Sequence, residues 1–82
     1  MLVDSLNDRQ MYFKATLVSA LKEAKERSGL PIACSYKSIL RREEDKVSVY
    51  LEAKRDPVNE WRMYSGSLIK KIVAYELKRR AR

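Results

Sequence analysis

Apolar residues recur at helical spacing in the first third of the chain. The run begins after Ser5, which stands three residues before Asp8 in a Ser-x-x-acid arrangement that can cap a helix N-terminus. It ends at Gly29, which suits a left-handed position after a helix, and Pro31 cannot continue helical hydrogen bonding. This pattern predicts a helix over about residues 5–28.

A second helical run lies near the end of the sequence. Ser65-Gly66-Ser67 precedes it, and either serine can cap the helix. Apolar residues then form one side of a helix predicted over about residues 67–80. Glu76 falls inside this apolar side, so we expect it either to lie near a frayed end or to pair with a basic group.

Between the two runs the pattern changes to alternation. Residues 46–54 carry apolar side chains at every second position, which is typical of a half-buried strand. Residues 32–41 and 60–64 contain strand-forming residues at even spacing and are predicted as two further strands. The polar segment 42–45 is a candidate hairpin loop, and Asp-Pro within 55–59 favours a turn.

Together these elements predict one small α+β domain over residues 1–82 in the order α-β-β-β-α. The three strands would form an antiparallel meander, with both helices packed on one face of the sheet in a two-layer arrangement. With 82 residues the chain has enough apolar side chains for a single core. Dimerisation is a common way for so short a chain to bury more surface.

Basic residues are concentrated in the second half of the sequence. The chain has 18 Lys and Arg against 11 Asp and Glu, which gives a net charge of +7. Residues 1–45 contain 8 basic and 7 acidic side chains, whereas residues 46–82 contain 10 and 4. This asymmetry indicates a surface that binds a polyanion, although basic residues near a helix C-terminus also favour the helix dipole and solubility.

The last predicted helix carries most of the basic excess. On a helical wheel Lys71, Tyr75, Lys78 and Arg82 lie on one side, where they can follow a phosphate backbone. The nucleic-acid-binding residues that we predict on this helix are Lys70, Lys71, Tyr75, Lys78, Arg79 and Arg82, and those predicted in the strand region are Lys54, Arg55 and Arg62.

A further basic pair, Arg41-Arg42, is followed directly by Glu43-Glu44-Asp45. In a loop these acids would cancel the two arginines and repel a phosphate, so we do not predict nucleic-acid binding there. The acidic run indicates either a solvated turn or a contact with a basic protein.

The aromatic residues fall mainly in the predicted strands. Alternation places Tyr50 on the polar face of its strand, where it can pack at the surface or stack a base. Trp61 and Met63 alternate with polar neighbours, and we expect both to belong to the core.

The composition argues against several kinds of chemistry. The chain has no histidine and one cysteine, Cys34, which we expect to be a small buried apolar residue. Its two glycines are too few for a phosphate-binding Gly-rich loop. We therefore predict no enzyme, no catalytic residue, no cofactor and no metal site. Without an export signal or an apolar run of bilayer length, we expect a cytoplasmic location and no membrane partner.

These observations favour a small non-enzymatic accessory or regulatory protein that binds DNA or RNA through its basic C-terminal helix. Such binding should weaken steeply with salt, because phosphate neutralisation releases counterions. The alternative is a protein-binding inhibitor or adaptor of the phage or mobile-element type, which acts on a larger nucleic-acid-handling partner through residues 5–28 or 43–45. A homodimer is compatible with either hypothesis.

Overall fold

Two helices of 15 residues each form the centre of the domain in the computed structural model, which describes residues 1–81. The domain is α+β, with five helices and a three-stranded antiparallel sheet, but its order is α-β-α-α-α-β-β-α rather than α-β-β-β-α. No helix within residues 1–81 is long and apolar enough to cross a membrane. The elements are α1 (Leu2–Ser5), β1 (Met11–Tyr12), α2 (Lys14–Ser28), α3 (Tyr36–Glu44), α4 (Ser48–Leu51), β2 (Lys54–Arg55), β3 (Arg62–Ser65) and α5 (Gly66–Arg80).

The core lies between α2 and α5. Leu17 and Leu21 of α2 and Ile69 of α5 are fully buried, and side chains of α1, α3 and α4 close the core around them. α2 ends where the sequence predicts, because Gly29 adopts a φ of 70° and its N–H donates to the Lys25 carbonyl oxygen at 2.9 Å. Glycine takes this left-handed conformation at little cost, so it provides the helix stop.

The helix predicted over 5–28 is interrupted. α1 ends at Ser5 and α2 begins only at Lys14, so Ser5 is not an N-cap. Asn7 makes the break, because its Oδ1 accepts a hydrogen bond of 2.9 Å from the Arg9 N–H. An Asn side chain that binds its own local backbone in this way competes with helix formation. After this turn, β1 pairs with β3 as an edge strand of the sheet.

The first two predicted strands are helices. Where the sequence predicts strands over 32–41 and 46–54, the structure has α3 and α4. α3 begins with a capping box in which Ser35 and Ser38 each accept a hydrogen bond from the other's backbone N–H. Short apolar runs do not distinguish a strand from a buried helix. The helical form buries Tyr50, which the strand prediction places on a polar face.

The sheet is antiparallel, but its strands are not a consecutive meander. β3 lies in the middle, with β1 and β2 on its two sides. Met11 pairs with Ser65, and Lys54 pairs with Met63. These four residues share the open face of the sheet, because paired residues and residues two apart in a strand point the same way. Tyr64 points to the opposite face and is fully buried.

β2 and β3 are joined by a turn at the predicted position. Asp56 Oδ1 accepts hydrogen bonds from the N–H groups of Val58 at 2.8 Å and Asn59 at 3.3 Å, which stabilises the turn. Trp61 follows this turn with 61% of its surface exposed, so the expectation that it belongs to the core is wrong. Met63 is half-buried on the open face of the sheet rather than in the core.

Candidate functional site: an arginine pocket

Four arginines from two helices line one pocket of about 460 Å³. Arg41 and Arg42 come from the last turn of α3, and Arg79 and Arg80 come from the last turn of α5. We term the site formed by these four residues the arginine pocket. Its other lining residues are Ala33, Ser38, Asp45, Val47 and Tyr75.

The arginines stand at the C-termini of the two helices, where basic residues are common. Carbonyl groups at a helix C-terminus carry partial negative charge, which favours cations in the last turn. This effect does not require two helix ends to meet. Here α3 and α5 both end beside the same cavity, so arginines that are far apart in the sequence line it together.

Glu76 lies under the pocket and is fully buried. Its Oε1 is 3.3 Å from Arg42 Nε and accepts a hydrogen bond of 2.9 Å from the Tyr50 hydroxyl. Nitrogen atoms of Arg79 and Arg80 lie 3.9 Å from its carboxylate oxygens. Of the two alternatives predicted for Glu76, pairing with a basic group is therefore confirmed.

Arg42 is held in place by this network. Its Nη1 donates hydrogen bonds to the Tyr50 hydroxyl and to the Ala33 carbonyl oxygen, both at 3.2 Å. Its guanidinium carbon lies 5.6 Å from the centroid of the Tyr50 ring. Buried charges are costly unless they are paired and hydrogen-bonded. Arg42 satisfies both conditions, whereas Glu76 is hydrogen-bonded through Oε1 only and its Oε2 is buried without a hydrogen-bond partner among residues 1–81. Arg42 is therefore a fixed cation in the pocket wall.

The pocket has a positive net charge. Four guanidinium groups lie close to two carboxylates, those of Asp45 and Glu76. Arg41 and Arg79 are exposed, so they can reach an anion without breaking the contact between Arg42 and Glu76. Guanidinium groups bind phosphate oxygens through paired N–H donors, so the arrangement suits a phosphate.

Burial changes the acidity of two tyrosines in the core. Removal from water and the nearby charge of Glu76 raise the pKa of Tyr50 well above its ordinary value. Burial also raises the pKa of Tyr64, together with the hydrogen bond of 2.6 Å that its hydroxyl donates to Glu43. Both hydroxyls therefore remain protonated hydrogen-bond donors at neutral pH.

Two of the predicted binding residues on α5 already have acidic partners. Lys70 Nζ lies 2.6 Å from Asp8 Oδ1, and Lys71 Nζ lies 3.3 Å from Glu52 Oε1. Both contacts are at the surface, where an ion pair contributes little stability and can be exchanged. The predicted row of cations on α5 is thus neutralised at its N-terminal end.

The remaining predicted residues of α5 are closer to the arginine pocket. Tyr75 and Arg79 line it, and Lys78 is exposed in the same last turn. Tyr75 is half-buried, with its ring edge-on to Tyr50 at a centroid distance of 6.4 Å. Arg82 lies outside the described residues.

The predicted residues of the strand region lie elsewhere. Lys54 lines a groove on the open face of the sheet, which Lys71 also lines. Arg55 is exposed on β2, and Arg62 Nη1 lies 3.7 Å from Glu43 Oε2. The structure therefore brings Lys54 and Lys71 together, but it does not place either of them in the arginine pocket.

The sequence prediction missed Arg41, Arg42 and Arg80. It treated the first two as loop residues cancelled by the acids that follow. In α3 the Glu43 carboxylate instead accepts a hydrogen bond from the Tyr64 hydroxyl of β3, so it points towards the sheet. A helical interpretation of this segment separates Glu43 from both arginines, because successive helical residues point roughly 100° apart, but it keeps Asp45 beside Arg41, and Asp45 lines the pocket with them.

Within residues 1–81, no group of three or more His, Cys, Asp or Glu side chains is placed to hold a metal ion. Four of the nine described residues that line the arginine pocket are arginines, whose side chains carry hydrogen-bond donors and no acceptor, which suits the binding of an anion. No family model, curated protein or solved structure matches this chain.

Proposed function

We propose that the chain is a small non-enzymatic nucleic-acid-binding protein, of an accessory or regulatory kind, that holds a backbone phosphate in the arginine pocket. The observation that carries this proposal is the convergence of Arg41, Arg42, Arg79 and Arg80 on one cavity. Phosphate contacts supply a large share of the affinity in nucleic-acid binding, and arginine is well suited to make them.

The pocket combines fixed and movable donors. Arg42 is positioned by Glu76 and Tyr50 before any ligand binds, so little conformational entropy is lost at this residue on binding. Arg41 and Arg79 are exposed and can close on a phosphate. The helix dipole alone does not account for a buried carboxylate that fixes Arg42 in the wall of a cavity shared by two helices.

Other basic residues support the same partner. The net charge of +7 attracts polyanions at a distance, and Lys78 extends the positive surface beside the pocket. We assign smaller contributions to Lys70 and Lys71, because each would have to exchange a carboxylate for a phosphate. The basic residues of the strand region support binding from the sheet side.

Fluorescence anisotropy with labelled oligonucleotides at several salt concentrations tests the proposal. The probes are duplex DNA, duplex RNA and single strands of equal length. The double variant Arg41→Gln/Arg79→Gln is compared with Lys22→Gln/Lys25→Gln, which removes the same charge from exposed positions of α2 outside the pocket. Circular dichroism of both variants serves as the control for folding.

We expect Arg41→Gln/Arg79→Gln to lower the affinity about tenfold or more, and to reduce the slope of log K against log salt by about 1–2, because fewer counterions are released. The lysine variant should lose only the general attraction of the net charge, about twofold. Equal losses in the two double variants, or no binding of any polyanion by the unaltered chain, would contradict the proposal.

The inhibitor or adaptor alternative has less support. Among the acidic residues that it would use, Glu43 is already engaged within the chain by Tyr64 and Arg62. A cytoplasmic location remains part of the proposal, because Cys34 is a free cysteine and a reducing compartment suits it.

A further inference from the structure

Three aromatic side chains from separate segments form a groove at the surface. Phe13 immediately precedes α2, Tyr36 begins α3, and Trp61 follows the turn between β2 and β3. They line a space of about 480 Å³, which we term the aromatic groove. Its other lining residues are Lys14, Ala15 and Arg62.

The rings in the aromatic groove are exposed rather than packed. Phe13, Tyr36 and Trp61 are 46%, 53% and 61% exposed, whereas Tyr50 and Tyr64 are fully buried. The rings of Phe13 and Trp61 meet edge to face, with their centroids 5.4 Å apart. Grouped exposed aromatic residues mark a binding surface, because so much contiguous apolar area is unfavourable in water.

The groove is basic at its rim. Lys14 and Arg62 line it, and its described lining includes no carboxylate. Among residues 1–81, the one acid that forms an ion pair with a lining residue is Glu43, which lies 3.7 Å from Arg62. Flat rings beside cations are complementary to a nucleotide, which combines a flat base with an anionic phosphate. A symmetric contact with a second copy would instead bring two sets of cations together.

α3 separates the aromatic groove from the arginine pocket. Tyr36 lines the groove, whereas Arg41 and Arg42 line the pocket. Arg41 and Arg42 lie roughly 140° and roughly 120° from Tyr36 around the axis of α3, and a helix with its side chains is about 10–12 Å wide. Lys37 is exposed between Tyr36 and Arg41. A strand that crosses the exposed side of α3 therefore meets both sites within a few nucleotides.

We infer that the aromatic groove stacks an unpaired base, and that the nucleic acid bound by this chain is single-stranded. The inference rests on the proposed function, because the arginine pocket supplies phosphate contacts on the other side of α3. Phe13 and Trp61 offer stacking surfaces, and Lys14 and Arg62 hold the adjoining phosphates. In a duplex the base faces are stacked on one another, so side chains reach only the base edges and cannot stack on a base.

Trp61 is the only tryptophan in the chain, so its fluorescence reports directly on the groove. Three probes are compared: an oligothymidylate, an abasic oligomer with the same number of phosphates, and a blunt duplex DNA. We expect the oligothymidylate to quench Trp61 emission on binding, and we expect the other two probes to leave it unchanged. The oligothymidylate should also bind more tightly than the abasic oligomer.

Trp61→Ala is the test variant, and Val58→Ala is its control. Val58 lies in the turn that precedes Trp61, is 85% exposed and does not line the groove. We expect Trp61→Ala to weaken oligothymidylate binding by about 5- to 150-fold, the range for stacking one base on one aromatic side chain. Its affinity for the abasic oligomer and its salt slope should not change. Trp61→Phe keeps a stacking ring and should recover most of the affinity.

Several results would overturn this inference. If the abasic oligomer or the duplex binds as tightly as the oligothymidylate, the groove holds no base, and phosphate binding in the arginine pocket still stands. If sedimentation shows a dimer that Trp61→Ala dissociates, the groove belongs to a second copy. If one stoichiometric protein is retained after nuclease treatment and Trp61→Ala releases it, the groove belongs to a protein partner. Failure of every polyanion to bind refutes the proposed function itself.

Discussion

Removing the buried cation of the arginine pocket should cost the domain a large part of its stability. In Arg42→Met the side chain keeps a similar length, but Glu76 loses its ion pair of 3.3 Å and Tyr50 loses a hydrogen-bond donor. Glu76 is fully buried, and its other cations, Arg79 and Arg80, are 3.9 Å away. The negative charge of Glu76 would therefore remain in the core, balanced only by the more distant guanidinium groups of Arg79 and Arg80.

The magnitude follows from this geometry. Breaking a buried ion pair from one side costs about 3–5 kcal/mol. Arg79 and Arg80 can move towards Glu76 and recover part of the loss, so we expect a decrease of about 3 kcal/mol in the free energy of unfolding. A domain of this length has about 4–12 kcal/mol in total. Arg42→Met should therefore fold, but with little stability to spare.

Urea denaturation followed by circular dichroism measures the loss. The matched variant Arg42→Met/Glu76→Leu leaves no uncompensated charge from the pair, and buried pairs are often replaceable by apolar residues. We expect it to recover part of the stability, because the buried Tyr50 hydroxyl loses both of its hydrogen-bond partners. The buried-pair reasoning fails if Arg42→Met costs less than about 1 kcal/mol. It fails equally if the double variant loses the sum of the two single losses, since that would mean that the residues act independently.

Two further predictions concern the packing of α5 and the buried tyrosines. Gly66→Ala should lower the free energy of unfolding by about 1–3 kcal/mol, because a Cβ there would overlap the Asn7 carbonyl oxygen. Helix propensity alone predicts a gain of about 0.5–1 kcal/mol, so the sign of the change in thermal denaturation decides between the two effects. Stability should also fall as the pH rises above about 10, because tyrosine in the unfolded chain then releases its proton while Tyr50 and Tyr64, with raised pKa values, keep theirs. Urea midpoints measured between about pH 8 and about pH 11 should decline less in Tyr50→Phe than in the unaltered chain, and parallel declines would argue against this linkage.

Elements with strong local signals could be predicted from the sequence. α5 begins after Ser65, whose Oγ accepts the Leu68 N–H at 3.1 Å, and α2 ends at Gly29. The turn at Asp56 depends in the same way on hydrogen bonds between near neighbours. Caps and turns of this kind involve few residues, so their sequence patterns are informative without knowledge of the fold.

The middle of the chain could not be predicted, because distant contacts decide its conformation. Alternation in 46–54 indicates a strand. In the structure, the buried Tyr50 hydroxyl of α4 donates a hydrogen bond to Glu76 of α5, a contact that the local sequence does not reveal. The assignment of faces was wrong in both segments: Tyr50 lies in α4 and is buried, and Trp61 stands just before β3 and is exposed. Strand alternation separates the two faces correctly only where the segment is a strand in the expected register.

The arginine pocket requires the meeting of two helix ends, which no local pattern encodes. The basic excess of α5 indicated a surface for a polyanion, and Arg79 and Tyr75 were predicted there. Charge counting along the chain excludes Arg41 and Arg42 from the predicted binding residues, because it treats Glu43 as their immediate neighbour. In α3 the Glu43 side chain contacts the sheet, while the two arginines line the pocket.

The pairing of β1 with β3 has a consequence for synthesis of the chain on the ribosome. Met11 lies opposite Ser65, so β1 can pair only after β3, which is synthesised later, has emerged. Bringing such distant segments together carries a loop-closure cost and slows folding. Arg41 and Arg42 likewise wait for α5. The arginine pocket of a nascent chain therefore stays incomplete until α5 has left the exit tunnel.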